Sequence, residues 1–234
     1  MHQIEEFNII KDKNLKNLYQ IVYQHLKYID DAPNIEALHT YKKYLLAYHN
    51  GYTSDQKLFK KLQKYHLLFK EINISWLGVF LDYKINYFDQ FSLKSYDNLI
   101  TYAKLQSKFS FLFLITDKLA KNHLNIISSL GIIDILSDIL LNDEKLNSQS
   151  KINYPEQLLF DFNVEISLNK SFLKNDKYIG LWEYIHFKVR TEINLIKPLI
   201  ITFLPHEIEL IKLYINDIIS RLNERRNFLI SLSN

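Results

Sequence analysis

With 234 residues, the chain is long enough for one large domain or two small ones. Its 47% hydrophobic and 24% charged residues are ordinary values for a soluble globular protein. A net charge of +3 with dispersed lysines argues against nucleic-acid binding, and the absence of cysteine excludes disulfides and thiol catalysis.

Few turn-forming residues interrupt the chain, which has four Gly and four Pro beside 16 Tyr and 15 Phe. This composition leaves little room for the tight turns of an all-β fold and favours long helices with short links. Apolar residues at spacings of three and four predict helices over residues 14–31, 35–49, 54–71 and 74–89. Pro33 interrupts the first pattern, and Asn50-Gly51 ends the second.

The second half of the chain continues the helical pattern. A fifth helix begins near residues 94–97, and we expect it and one further helix to run through the apolar stretch 99–141. The polar tract 142–154 predicts a loop, and Pro155 suits the first turn of the next helix. Two long helices, 176–198 and 205–232, close the chain. Since no repeat or domain boundary is visible, we predict one all-α domain over residues 1–234.

The sequence gives little sign of export or of membrane insertion. The N-terminal segment MHQIEEF is polar and acidic, which argues against a signal peptide. The longest apolar runs, FSFLFLIT and LIKPLIITFL, fall short of the roughly 18 residues that a membrane span requires. We therefore expect a cytoplasmic protein with no transmembrane segment, either free or attached peripherally to a membrane.

Two aspartate motifs stand out, and both are altered at the same place. The first is Asp30-Asp31-Ala32-Pro33-Asn34, and the second is Asp138-Ile139-Leu140-Leu141-Asn142. Each offers a carboxylate and, four positions later, an asparagine, and residues at this spacing share a face of a helix. Two such faces across a helical cavity would form a Mg²⁺-diphosphate site if the last positions were carboxylates. Here these positions are amides.

The order and spacing of four segments resemble the squalene/phytoene synthase family, all-α prenyltransferases that join two prenyl diphosphates head to head. NLYQIVYQHLKYIDDAPN resembles the first aspartate-rich helix of the family, with Lys27 where arginine is usual, and LGIIDILSDILLND resembles the second. FLDYKINYFDQFSLKSYDNLITYA resembles the segment that carries the family's tyrosine, here Tyr102. YINDIISRLNERRNF resembles the closing helix, with Tyr214 in the family's tyrosine position. The resemblance covers most of the chain beyond residue 14 and implies an isoprenoid-synthase-type bundle around a central cavity, shortened at its N-terminus.

The resemblance also implies roles for individual residues. The candidate catalytic residues are Tyr102 and Tyr214. The candidate substrate-binding residues are Lys27, Tyr102 and Asp134. The candidate metal ligands are Asp30, Asp31, Asn34, Asp134, Asp138 and Asn142. The implied cofactor is Mg²⁺, and the implied substrate is a prenyl diphosphate.

Several positions depart from the family pattern. Asn34 and Asn142 replace the distal aspartates, and each exchange of a carboxylate for an amide removes a full charge beside the metal. The neighbouring carboxylates Asp31 and Asp143 are one residue, about 100°, out of register. The remaining departures are Asp134 for asparagine, Ser137 for arginine, and Lys104, Gln106, Lys108 and Phe109 where the family has small residues beside the prenyl chain.

The same residues also have purely structural explanations. Asp31 or Asn34 can cap the helix that follows Pro33. Asp138 can be a partly buried aspartate bonded to a neighbouring helix. Tyr102 and Tyr214 can serve packing alone.

These departures favour a degenerate member of the family that keeps the fold without catalysis. Its role would be that of an assembly factor, as in the family's mitochondrial protein for complex I assembly, or that of an isoprenoid-binding protein. The rival hypothesis is an active Mg²⁺-dependent prenyltransferase. The partner is accordingly a protein or a prenyl diphosphate. If Lys108 and Phe109 fill the cavity, neither the enzyme nor the isoprenoid-binding module is expected.

Overall fold

The computed structural model describes residues 5–52, 56–70, 72–86, 93–142, 154–165 and 171–233. All regular structure in these ranges is helical, which confirms the predicted all-α class. The α-helices of these ranges are α1 (Lys13–Asp30), α2 (Ile35–His49), α3 (Lys57–Leu68), α4 (Ser75–Asn86), α5 (Tyr96–Gln106), α6 (Lys108–Thr116), α7 (Leu124–Leu141), α8 (Glu156–Asp161), α9 (Asp176–Ile196) and α10 (Pro205–Ser233). Short 3-10 turns cover Glu5–Ile9, Ser171–Lys174 and Ile200–Thr202.

The apolar stretch 99–141 differs from the prediction, because it contains parts of three helices rather than two. The break between α5 and α6 lies at Ser107, whose hydroxyl oxygen accepts a hydrogen bond of 3.0 Å from the Ser110 amide. The break after α6 lies at Asp117, which accepts one of 2.7 Å from the Leu119 amide. Both breaks are made by side chains that compete with the helical backbone bonds. Most of the predicted loop, 143–153, lies outside the described residues.

Helix α7 is at the centre of the bundle, in contact with α5, α6, α9 and α10. Within the described ranges it is also the one helix long and apolar enough to cross a membrane. More than half of that span is buried in the bundle, so packing explains its apolar character. The Trp182 indole on α9 donates a hydrogen bond of 3.3 Å to the Leu140 carbonyl and ties the two helices together.

The directions of α1 and α6 define the two ends of the bundle. At one end the Lys108 ammonium donates to Asp30, and at the other Thr116 lies beside Tyr19. The two helices therefore run antiparallel. We call the end that holds Asp30 the aspartate end and the other the opposite end.

Candidate functional site

The first aspartate motif is a junction between two helices. Asp30 is the last residue of α1, Asp31 caps its C-terminus, and Asn34 caps the N-terminus of α2. The Asn34 side-chain oxygen accepts a hydrogen bond of 2.9 Å from the Ala37 amide. Because α1 has ended before Pro33, Asp30 and Asn34 do not share a helix face. The capping role considered for Asn34 is confirmed.

This junction predicts how two substitutions will behave. Asn34→Ala is expected to lower the free energy of unfolding by about 1 kcal/mol, because the α2 amide loses its acceptor. Asn34→Asp restores the carboxylate of the family pattern and is an equally good cap, so we expect a change below about 0.5 kcal/mol and no response to Mg²⁺. Urea unfolding with and without Mg²⁺ checks both. A Mg²⁺-dependent gain in Asn34→Asp would instead place this position at a metal site.

Asp30 is held by lysine ammonium groups from two other helices. The Lys84 ammonium, on α4, lies 2.5 Å from one carboxylate oxygen. Lys108, the first residue of α6, donates to the other oxygen. Burial raises the pKa of Asp30, but the two lysines outweigh it and lower the pKa to about 2. Burial alone would lower the pKa of Lys108, and the charge of Asp30 reverses this and raises it.

The second aspartate motif lies on one face of α7, and its carboxylates are also bonded within the protein. Asp134 accepts hydrogen bonds from the Ser107 hydroxyl at 2.7 Å and from the Tyr214 hydroxyl. Asp138 accepts one of 2.7 Å from the side-chain amide of Asn142, the C-terminal cap of α7. The Asp138 side chain is exposed, yet partial desolvation and repulsion from Asp134 raise its pKa.

Tyr102 lies close enough to both motifs for their charges to affect its pKa, whereas Lys27 lies at the surface. Burial, together with the charges of Asp30 and Asp138, raises the pKa of Tyr102 to about 12. A phenol with this pKa stays protonated at neutral pH. Lys27 is exposed in the last turn of α1.

Aromatic rings occupy the space between α6 and α10 beside Asp134. The buried Tyr214 ring stacks on Phe109, with 3.8 Å between the ring centroids. Phe109 packs in turn against Phe113, which contacts Phe203. Phe109 and Tyr214 are 2% and 4% exposed. The Phe109 side chain therefore fills space where the family resemblance implies room for a prenyl chain.

The structure brings some of the predicted site residues together and separates others. Six of them share the region where α1, α5, α7 and α10 meet: Asp30, Tyr102, Asp134, Asp138, Asn142 and Tyr214. Lys27, Asp31 and Asn34 are exposed instead. Asp143 lies outside the described residues. Sequence reasoning missed Lys84, since nothing in α4 marks it as a partner of Asp30.

This arrangement does not fit Mg²⁺. Mg²⁺ favours oxygen ligands in near-octahedral geometry, and it seldom tolerates cations among them. Both oxygens of Asp30 face ammonium groups, and both oxygens of Asp134 accept from hydroxyl groups. Across the described ranges, no group of three or more His, Asp or Glu side chains is placed to hold a metal ion. Three aspartates (Asp30, Asp134 and Asp138) and two lysines (Lys84 and Lys108) give the region a formal charge of −1.

A second cluster of buried ionisable groups lies at the opposite end. Tyr19 donates a hydrogen bond of 2.9 Å to Glu207, which also accepts one of 3.1 Å from the Leu204 amide. Nearby, the His123 ring donates to the buried Asp117 at 2.6 Å. Burial, with repulsion from Asp117, raises the pKa of Glu207 to about 7. Sequence reasoning missed this cluster because an acid in the first turn of a helix usually faces solvent.

Among known proteins, the likeness of this chain is found with solved structures and not with sequences. Comparison with protein-family models gives no match, and neither does comparison with curated proteins. A crystal structure of a dehydrosqualene synthase in complex with ligand matches with a TM-score of 0.74 and 14% sequence identity. The match covers 97% of this chain and 90% of that chain. At this identity the likeness establishes the fold alone, and the chain has the squalene/phytoene synthase-like fold, an isoprenoid-synthase type of helical bundle.

Proposed function

We propose that this chain keeps the prenyltransferase fold without prenyltransferase activity and acts by binding a protein partner, as an assembly factor does. The observation that carries the proposal is the ion-pair cluster of Lys84, Asp30 and Lys108. The family resemblance implies that Asp30 faces Mg²⁺. In this protein the positive charge beside Asp30 belongs to lysines from α4 and α6.

Electrostatics show why the lysines oppose metal binding. A divalent cation about 4 Å from an ammonium group is repelled by on the order of 8 kcal/mol at an effective dielectric of 20. Lys84 and Lys108 therefore cancel the attraction of two of the three aspartates. Because the region retains a formal charge of −1, a diphosphate without its metal is not favoured either.

The packing of aromatic side chains bears on whether this protein binds a protein partner or an isoprenoid ligand. A bound prenyl chain needs an open apolar channel between the helices. Beside Asp134 the stacked rings of Phe109 and Tyr214 occupy that space. A protein partner needs no such channel, so the packing supports an assembly role over isoprenoid binding.

Thermal unfolding with farnesyl or geranylgeranyl diphosphate, each with and without Mg²⁺, tests the proposal. A ligand at a hundred times its Kd stabilises the folded state by about 2.7 kcal/mol. For a chain of this size that corresponds to a rise in Tm of roughly 5–10 °C. We expect no rise at millimolar ligand. A dehydrosqualene synthase run in parallel provides the positive control.

The other outcomes identify the alternatives. A rise that needs both the prenyl diphosphate and Mg²⁺ would overturn the proposal in favour of an active prenyltransferase, which release of diphosphate would then confirm. A rise with the prenyl diphosphate alone would favour an isoprenoid-binding protein without turnover.

A further inference from the structure

Three helix connections meet at the opposite end of the bundle. The Asn73 amide donates a hydrogen bond of 3.0 Å to the Ile115 carbonyl at the end of α6. The Phe203 ring contacts Phe113 and stacks on His123, with 3.9 Å between the centroids of the last pair. These contacts place side by side the connections α3–α4 (69–74), α6–α7 (117–123) and α9–α10 (197–204).

Large apolar side chains project from these connections and from the adjoining helix turns. Their exposed fractions lie between 43% and 74%, whereas the other large apolar side chains described in the connections are buried or half-buried. Extensive exposed apolar surface on a monomer marks an interaction site. We call this set the apolar end: Leu67, Leu68, Leu119, Leu124, Leu195, Leu199 and Ile201.

The exposed charged residues that the structure describes in the three connections are all lysines, and Glu71 of the α3–α4 connection lies outside the described residues. Lysines are exposed in all three connections: Lys70, Lys118, Lys121 and Lys197. Asp117 is buried against His123. In the connections as far as the structure describes them, no acidic side chain is exposed. The apolar end therefore complements a surface that is both apolar and anionic.

The residue types favour a lipid bilayer over a protein partner. Protein interfaces are enriched in Tyr, Trp and Arg and depleted in Lys, whereas the apolar end combines Leu and Ile with Lys. Lysine can lay its apolar stem along a bilayer while its ammonium group reaches the phosphates. Leu199 and Ile201 lie in the α9–α10 connection, next to Lys197.

We propose that the apolar end docks on the surface of an anionic membrane, with Leu199 and Ile201 entering the headgroup region and the lysines contacting lipid phosphates. This inference does not depend on the proposed function. Docking in this way leaves the aspartate end of the bundle directed away from the membrane and free for a protein partner.

Co-sedimentation with lipid vesicles tests the docking. We expect the full chain to bind vesicles of phosphatidylcholine with phosphatidylglycerol and to bind phosphatidylcholine alone at least tenfold more weakly, since each lysine near an anionic surface contributes about fivefold in affinity. Leu199→Ser/Ile201→Ser is expected to weaken binding at least about tenfold, because two apolar side chains no longer enter the lipid. Lys121→Gln/Lys197→Gln should weaken binding to the anionic vesicles alone by about tenfold or more.

The matched control is Phe160→Ser/Phe187→Ser, which removes two exposed apolar side chains from α8 and the middle of α9. It should bind vesicles like the unchanged protein, and thermal unfolding verifies that every variant is folded. Equal loss of binding in the control would overturn the proposal. So would the absence of vesicle binding, which would assign the apolar end to a protein partner. Sedimentation velocity tests whether a second copy of the chain covers the apolar end instead. A dimer that dissociates in Leu199→Ser/Ile201→Ser would show that it does and would overturn membrane docking.

Discussion

Asp30→Asn is expected to lower the free energy of unfolding by about 3–5 kcal/mol, as does the removal of one partner from a buried ion pair. The substitution removes the carboxylate that the ammonium groups of Lys84 and Lys108, which are 15% and 23% exposed, both contact. The pKa of Asp30 is about 2 against an ordinary 3.8, which corresponds to about 2.4 kcal/mol in favour of the charged form. Repulsion between the two lysines adds to this loss.

A metal-binding carboxylate would respond in the opposite direction. Clustered carboxylates repel one another when no metal is bound, so an amide in place of one relieves repulsion and stabilises the metal-free protein. Urea unfolding at pH 7 with a chelator therefore separates the two explanations by the sign of the change. A gain in stability for Asp30→Asn would contradict a structural ion-pair cluster.

An exposed ion pair provides the matched control for this substitution. Asp82 pairs with Lys42 at 2.7 Å, and its side chain is 54% exposed. Exposed pairs of this kind contribute about 0–1 kcal/mol. Asp82→Asn should therefore change the free energy of unfolding by less than about 1 kcal/mol, against several for Asp30→Asn.

The helices were predictable from sequence where an apolar pattern is bounded by distinct end signals. The predicted helix 35–49 matches α2 at both ends, because Asn34 caps its start and Gly51 follows its end. The division of 99–141 was not predictable in this way. Apolar residues lie on almost every face of the helices in this stretch, so no change of amphipathic pattern marks where one helix ends. The breaks depend instead on the side chains of Ser107 and Asp117.

The candidate site was predictable only where its partners lie on one helix. Asp138 and Asn142 are four residues apart on α7, and they make the contact that this spacing implies. The pairing of Asp30 with Lys84 spans 54 positions and joins α1 to α4. No periodicity links residues so far apart, so the sequence offers the carboxylate but not the cation that neutralises it. Only the packing of the helices determines which lysines pair with Asp30.

Glu207→Gln is expected to raise the free energy of unfolding at pH 8 by about 2–3 kcal/mol. Glu207 is 0% exposed, and its carboxylate accepts from Tyr19 and from the Leu204 amide. These bonds do not fully offset the cost of burying the charge, so the pKa rises from an ordinary 4.5 to about 7. Each unit of pKa corresponds to about 1.4 kcal/mol. Removal of the charge therefore contributes about 3.5 kcal/mol. Glutamine keeps one acceptor oxygen, for the Leu204 amide, and loses the acceptor for Tyr19, which reduces the expected gain to about 2–3 kcal/mol.

The sign of the pH dependence distinguishes the removal of a charge from a change in packing. Because the folded protein binds the Glu207 proton more tightly than the unfolded chain does, this group's stabilisation is complete below about pH 4.5 and is lost as the pH rises through about 7. The advantage of Glu207→Gln should therefore fall below about 1 kcal/mol at pH 5. Urea unfolding at pH 5 and pH 8 measures it, with Glu209→Gln as the control, since Glu209 is exposed and pairs with Lys212 at 3.1 Å. An equal gain at both pH values would mean that packing, and not the buried charge, causes the difference in the free energy of unfolding between Glu207→Gln and the unchanged protein.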